Sequence, residues 1–412
     1  MKLKRVLCLI LIFIMFIPMC VLASVEEPEV TAPIAVLMDG KTGKVLYEKE
    51  AYTRAYPASL TKMLTAIVVM EHCNLTDTVI YTDDALIGIE QGYVTASLID
   101  GEVLTVEDLL NLLLIPSANE IGNMLALHVS GSIDAFVELM NQKAQEIGCK
   151  DSHFVNTNGT HDENHYSTAY DMALIGRYAM KYEPLKEIVS KIYYELGNTN
   201  KYTGKTRIYE TTNGLLLSGS PNAYYKYAKG IKTGYTTPAG SCLAAYAEKD
   251  DMELYVVVLK CEGAGERYPS IKNLYNYGFN TFSYRNIAKR GENMQTIDIK
   301  DGTSKTRKMN AIIENDIEVL VNVNEKYTIE PQIQLNTELK APIQQGTKVG
   351  TVRYEIEGIT YEQNLIAGSD VEKTYMPEFF MLLFVVLVVV FGIVKIKDNY
   401  RRKRRIRKIR KG

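Results

Sequence analysis

The sequence predicts an α/β chain in three parts: a layered domain with a helical block, a small all-β domain, and a C-terminal transmembrane helix. Three observations carry this reading. Strand-like runs come first, a helical block follows, and strands with a last helix close the domain, without the regular alternation of a βαβ repeat. Beyond about Arg290 the helical periodicity stops and short alternating runs take over. Near the end, Phe379–Val394 is a run of sixteen residues without a polar side chain.

The elements follow in order. Residues 33–47 alternate around Asp39-Gly40-Lys41-Thr42-Gly43 and read as a hairpin. From Pro57 an apolar stretch to Cys73 reads as a helix, with proline near its start. Val106–Leu114, Ile121–Val129, Ile133–Ile147, Ser167–Met180 and Pro184–Ile192 continue the helical block. Gly230–Thr233, Cys242–Ala247 and Leu254–Cys261 read as strands, and Tyr268–Phe282 as the closing helix. Thr296–Ile299, Ile317–Val323, Ile329–Leu335 and Lys348–Ile356 are the strands of the second domain. Expected boundaries are 1–23 for a signal peptide, 30–288 for the first domain, 291–372 for the second, 376–395 for the span and 396–412 for a basic tail.

The two ends predict where the chain lives. Lys2, Lys4 and Arg5 precede the apolar run Val6–Phe16, and Val21-Leu22-Ala23 offers a cleavage site, as in a secretory signal. The run at 379–394 covers about 24 Å as a helix, and Lys395 and Lys397 can snorkel at its end. The block Arg401-Arg402-Lys403-Arg404-Arg405 orients it with the tail in the cytoplasm and the body outside. The chain of 412 residues has a net charge of −2, but Lys395–Gly412 carries +10 and residues 1–23 carry +3. The body, 24–394, is therefore at −15, which argues against nucleic acid as a partner. With 46 % apolar and 23 % charged residues, the composition excludes wholesale disorder.

Three short signals occur in order. Ser59-Leu60-Thr61-Lys62 opens the first long helix, Ser117-Ala118-Asn119 follows an apolar helix, and Lys232-Thr233-Gly234 lies on a strand. Ser59 and Lys62, three apart, share a helix face. A serine hydroxyl needs a neighbour to take its proton, and a lysine can do so only with a lowered pKa. A second cation, Lys232, would depress Lys62 and attract an anionic substrate. Gly234 clears a strand edge along which a peptide could pair. A second Lys-Thr-Gly at 41–43 falls in the hairpin and reads as a turn, and a second Ser-x-Asn occurs at 220–222.

S-x-x-K with S-x-N and K-T-G is the signature of penicillin-binding proteins and class A β-lactamases. The chain resembles the low-molecular-weight penicillin-binding proteins that are serine D-alanyl-D-alanine carboxypeptidases. Pro57–Met63, Leu114–Glu120, Phe154–Gly159, His165–Met172, Gly230–Thr236 and Ala239–Leu243 carry the resemblance. It implies a serine β-lactamase/transpeptidase-like domain with an antiparallel sheet, followed by that family's β domain. It further implies Ser59 as the acylated nucleophile, Lys62 as general base, Ser117 as proton relay and Asn119 as holder of the substrate amide. Lys232 and Thr233 would bind the carboxylate side beside Gly234, with the backbone N–H groups of Ser59 and Tyr235 as oxyanion hole and Arg267 near the carboxylate. The implied partners are peptidoglycan pentapeptide stems, β-lactam antibiotics and the cytoplasmic membrane. Position 118 is Ala where the family commonly has Gly, and Thr157 and Thr160 stand where Pro and Leu are usual.

No cofactor and no metal are expected. His161 and His165 lack an HExxH context, and the spacing of Cys73, Cys149, Cys242 and Cys261 is not that of a zinc site. All four cysteines are expected unpaired and buried, although Cys242 and Cys261 could approach one another. Two other readings compete. A β-lactamase needs a water-activating glutamate, and no E-x-x-L-N stretch follows Ser117. A penicillin-sensing scaffold would acylate without turnover, which the intact set of residues disfavours.

Overall fold

A computed structural model describes residues 27–409. The signal-peptide expectation at 1–23 lies outside these residues. Two compact units are present. One runs to Tyr284 and takes in Asn322–Glu325, and the other comprises Arg285–Val321 and the chain from Lys326 on.

The first unit contains strands β1 (Ile34–Asp39) and β2 (Val45–Lys49), and α1 (Lys62–His72), which is entered through the 3-10 turn Ala58–Thr61. Then come β3 (Thr78–Ile80), β4 (Val103–Thr105), α2 (Val106–Leu114), α3 (Glu120–Ser130), α4 (Ile133–Ile147), α5 (Ala169–Ala179) and α6 (Glu183–Ser190). It closes with β5 (Tyr193–Leu196), β6 (Arg207–Glu210), β7 (Ala228–Thr236), β8 (Gly240–Lys249), β9 (Met252–Cys261) and α7 (Ala264–Thr281). The main sheet has the order β2-β1-β9-β8-β7 with every pair antiparallel.

β1 is buried at every position, as expected of a strand covered on both faces. Val36 and Met38 belong to the core shared with the helical block. Leu37, on the opposite face, meets α7 at Gly278, where an added Cβ would stand 3.2 Å from its side chain. The helical block nests on Leu60, Leu64, Ile67, Leu109, Leu113, Leu125 and Phe136, all fully buried. Thr105 and Asp108 form a capping box that fixes where α2 begins. β7 is left at the sheet edge, which leaves one side of Lys232–Tyr235 without a strand partner in that sheet.

The second unit contains β10 (Phe282–Ala288, whose first three residues belong to the first unit), β11 (Asn293–Asp298), β12 (Lys308–Ile313) and β13 (Ile317–Asn322, whose last residue belongs to the first unit). β14 (Gln332–Leu335), β15 (Lys348–Ile356) and β16 (Ile359–Ala367) complete it. Five of these form a sheet in the order β11-β12-β16-β15-β14. Its core is Met309, Ala311, Ile313, Val319, Val321, Val349, Val352 and Leu365. Helix α8 (Met376–Ile409) then carries the apolar run, with a candidate membrane span at Glu378–Arg407 that is not buried against protein.

Several expected elements differ in detail. The helix expected from Pro57 begins as a 3-10 turn over Ala58–Thr61, in which Ala58 takes a left-handed conformation. The helix expected at 184–192 stops at Ser190 and gives way to the small β5–β6 ribbon. The cysteines carry no disulfide among the described residues, but Cys73 is only half-buried.

Candidate active site

The turn that carries Ser59 is propped from beneath. Ala58 sits at φ +48°, a conformation that costs an L-residue roughly 1 kcal/mol. Gly159 makes room for it, since a Cβ there would stand 1.9 Å from the Ala58 carbonyl oxygen. Thr61 Oγ1 donates to that same carbonyl at 2.8 Å. His165 Nε2 lies 2.8 Å from Thr61 Oγ1, while the Val155 N–H donates to His165 Nδ1 at 3.2 Å. Nδ1 is thus the acceptor and Nε2 the donor, which makes a relay from imidazole to hydroxyl to the Ala58 carbonyl. Burial keeps the imidazole neutral, with its pKa pushed down to about 4.

Lys62 is the first residue of α1 and is fully buried. Its Nζ lies 3.1 Å from Ser59 Oγ, 3.2 Å from Ser117 Oγ, 3.0 Å from the Ser117 carbonyl and 2.8 Å from Asn119 Oδ1. Two of these four oxygens, the carbonyl and Oδ1, can only accept. A neutral amine has two N–H groups and one lone pair. Its donors are therefore used by the two obligate acceptors, and its lone pair is left to the two serine hydroxyls. Burial, reinforced by the charge of Lys232, holds the Lys62 pKa well below the usual lysine value, against an opposing pull from Glu120.

Ser117 and Asn119 lie in the connection between α2 and α3, where Ser117 takes φ +70°. The Asn119 amide reaches two ways. Oδ1 accepts from Lys62, and Nδ2 donates to the Val94 carbonyl at 2.9 Å. The next residue, Glu120, is buried and accepts from the Ala96 N–H at 2.6 Å, so it pins the same 94–96 segment. Burial raises its pKa.

Lys232, Thr233, Gly234 and Tyr235 come from the edge strand β7. An added Cβ at Gly234 would stand 3.1 Å from both the Pro57 carbonyl oxygen and the Ser59 nitrogen, so the strand touches the Ser59 turn directly. Lys232 is 1 % exposed, and its Nζ donates to the Thr233 carbonyl at 3.1 Å. Burial first, and the Arg267 charge second, bring its pKa down to about 7. Thr233 Oγ1 lies 2.5 Å from Thr212 Oγ1. Arg267, in the first turn of α7, donates to Ser241 Oγ at 2.7 Å and to the Tyr268 hydroxyl at 2.9 Å, while its Nε is buried without a hydrogen-bond partner.

These groups surround a cavity of about 540 Å³. Ser59, Ser117, Asn119, Thr233, Tyr235 and Arg267 line it, and Gly234 forms part of the wall. Lys62 and Lys232 are not among its described lining residues: both lysines stand behind the wall. All nine residues singled out in the sequence therefore belong to one neighbourhood, sorted into a lining set and a buried pair. Thr212, Tyr93 and Val94 also line the cavity and bear no motif. His165 and Glu120, which act through neighbours, were legible only as parts of longer matching stretches.

Residues 22–263 match the family model for D-alanyl-D-alanine carboxypeptidase, and residues 282–373 match that for the penicillin-binding protein 5 C-terminal domain. The D-alanyl-D-alanine carboxypeptidase DacF of Bacillus subtilis is 31 % identical, over 83 % of this chain and 86 % of that protein. DacA of Escherichia coli is 30 % identical over 82 % of each chain. The crystal structure of penicillin-binding protein 5 from Haemophilus influenzae is similar with a TM-score of 0.66 and 28 % identity, over 84 % of this chain and 99 % of that one.

Proposed function

The chain belongs to the D-alanyl-D-alanine carboxypeptidase family of serine peptidases, and we propose that it removes the terminal D-alanine from peptidoglycan stem pentapeptides through an acyl-enzyme on Ser59. β-Lactams acylate the same serine. The observation that carries this reading is the set of four oxygens around Lys62 Nζ, in which only Ser59 and Ser117 have protons to give.

Neutral Lys62 takes the Ser59 proton as Oγ attacks the carbonyl of the penultimate D-alanine. The N–H groups of Ser59 and Tyr235 receive the oxyanion. Ser117, equally close to Nζ, passes the proton to the leaving amine of D-alanine. Asn119 Nδ2 has a second N–H beyond the one given to Val94, and this holds the substrate amide. Arg267 and Thr233, on the cavity wall, meet the terminal carboxylate, while Lys232 supplies positive potential from behind and keeps Lys62 neutral. Water then attacks the ester, with Lys62 again accepting a proton. The residues 30–288 form the catalytic domain and 291–372 its β companion. Helix α8 anchors the chain in the cytoplasmic membrane as a single span over 376–395, with the catalytic domain on the wall side and 396–412 in the cytoplasm.

The test is mass spectrometry of the purified chain with a peptide ending in D-Ala-D-Ala. One D-alanine released per peptide, abolished in Ser59→Ala, is the expected result. Acylation by penicillin without peptide turnover would favour the sensing scaffold, and rapid penicillin hydrolysis would favour a lactamase.

A further inference from the structure

We propose that Cys73, Asp77 and His128 form a binding site for a thiophilic divalent cation of the zinc class, at the ends of α1 and α3 away from the cavity. The thiol sulfur, a carboxylate oxygen and an imidazole nitrogen all lie within 4.8 Å of one another. Tetrahedral zinc with bonds of 2.0–2.3 Å sets such ligands about 3.5 Å apart, so side-chain shifts of roughly 1 Å close the site. Thiolate, carboxylate and imidazole are the donors zinc prefers, and a thiolate with a carboxylate neutralises a divalent charge. Water completes the fourth position on the side where His128 is exposed.

The framework is built before any cation arrives. Cys73 caps α1, its N–H donating to the Val69 carbonyl at 3.0 Å. Asp77 closes the next turn. Its N–H donates to the Asn74 carbonyl at 3.1 Å, and the Asn74 N–H donates to Asp77 Oδ2 at 2.8 Å, orienting the carboxylate as an outer-shell partner does. That turn is tied down in its own right, since the Val106 N–H donates to the Asp77 carbonyl at 2.9 Å and the Glu107 N–H to the Leu75 carbonyl at 3.0 Å. His128 occupies the last turn of α3. Two helix C-termini thus converge here, and their carbonyl ends favour a cation. Cys149, Cys242 and Cys261 are buried, whereas Cys73 is the half-buried thiol within reach of solvent.

The placement has a consequence for stability. Both helices start at the catalytic centre, α1 with Lys62 and α3 just after Asn119. Each is eleven residues long, about 16 Å. A bound cation joins the far ends of the two helices whose near ends hold the base and the amide. Binding displaces the thiol proton to solvent and stabilises the folded chain by mass action. The sequence conceals the site because its ligands come from segments fifty residues apart rather than from a short repeat.

The experiment uses the full chain in detergent, free of any histidine tag and stripped with a chelator. Cobalt(II) should produce a thiolate-to-metal charge-transfer band at one equivalent per chain, and zinc should bleach it. Zinc at a hundredfold excess over its Kd should raise Tm by ~5 °C, with the rate of penicillin acylation unchanged within twofold. Cys73→Ser should abolish the band and the Tm response, and Asp77→Asn or His128→Gln should weaken binding at least tenfold. In the unsubstituted chain, zinc should protect Cys73 from alkylation, read by peptide mapping. Absence of the band, its persistence in Cys73→Ser, or alkylation of Cys73 at the same rate with and without zinc would overturn the proposal.

Discussion

The same tripeptide occurs twice in the first unit, with opposite outcomes. Lys41-Thr42-Gly43 turns the hairpin between β1 and β2: Thr42 donates from both its N–H and its hydroxyl to Asp39, and Gly43 sits at φ +76°. The Lys41 ammonium lies over the Tyr284 ring at 4.7 Å, on an exposed residue. Lys232-Thr233-Gly234 runs extended on the sheet edge, with its lysine buried and its glycine against the Ser59 turn. Identical side chains become a surface turn in one place and a source of buried positive potential in the other. Burial and neighbours, rather than the motif, create the chemistry.

The largest expected contrast is between the two lysines. Lys232→Ala should lower kcat/KM for a D-Ala-D-Ala peptide about a thousandfold, since it removes the charge that keeps Lys62 neutral and draws in the carboxylate. Lys41→Ala should stay within twofold. Amidating the peptide's terminal carboxyl separates the contributions. If Arg267 contacts the carboxylate directly, Arg267→Ala should lose its preference for the free acid, while Lys232→Ala should retain part of it. A preference lost only in Lys232→Ala would reverse that assignment.

Next in size is the pH profile. Acylation should rise with pH as Lys62 gives up its proton well below the ordinary lysine range. It should fall again as Lys232 loses its own at about 7 in the free enzyme. Lys232→Arg keeps its charge throughout, so the alkaline limb should vanish even though altered donor geometry lowers the plateau. An unchanged alkaline limb in that variant would show that another group sets it.

The two glycines give a smaller contrast of different kinds. Gly234→Ala pushes a methyl to 3.1 Å from Ser59 N and should slow acylation about tenfold. Gly43→Ala is strained by its positive φ and should cost about 1 kcal/mol of stability while leaving acylation intact. Acylation kinetics and thermal melts of the two variants distinguish them.

How much of this was legible follows from range. The helices α2 and α4 appear in the sequence residue for residue, because their apolar spacing and caps are local signals. That Ser59, Lys62, Ser117, Asn119 and Lys232 would come together was legible from three short motifs in order, and they do meet around Lys62 Nζ and behind the cavity wall. The β5–β6 ribbon was not, since its strands are four residues long and half-exposed. Neither was the split between Lys232 behind the wall and Arg267 on it, nor Thr212 beside Thr233, because those depend on how β7 and α7 pack. The triad at Cys73, Asp77 and His128 likewise exists only once two helices end side by side.

A contrast in stability rather than rate concerns the support under Ser59. His165 binds a proton in the unfolded chain below about pH 6.5 but refuses it in the folded chain until about 4. Stability therefore falls as pH is lowered across that window, by an order of ~3 kcal/mol in full. His165→Gln should flatten that part of the curve relative to the unsubstituted chain, as read by urea unfolding at pH 4.5 and 7. Equal losses in both chains would remove His165 from the account of acid sensitivity.

The central claim is that buried Lys62 turns Ser59 into the nucleophile, and penicillin reports it most directly. The intact chain should gain one penicillin per molecule, peptide mapping should place it on Ser59, and the adduct should persist for minutes, because no water-activating glutamate follows Ser117 in the pattern a lactamase needs. Lys62→Ala should abolish the adduct while Lys41→Ala leaves it unchanged. An adduct on another residue, or one that hydrolyses within a second, would contradict the account.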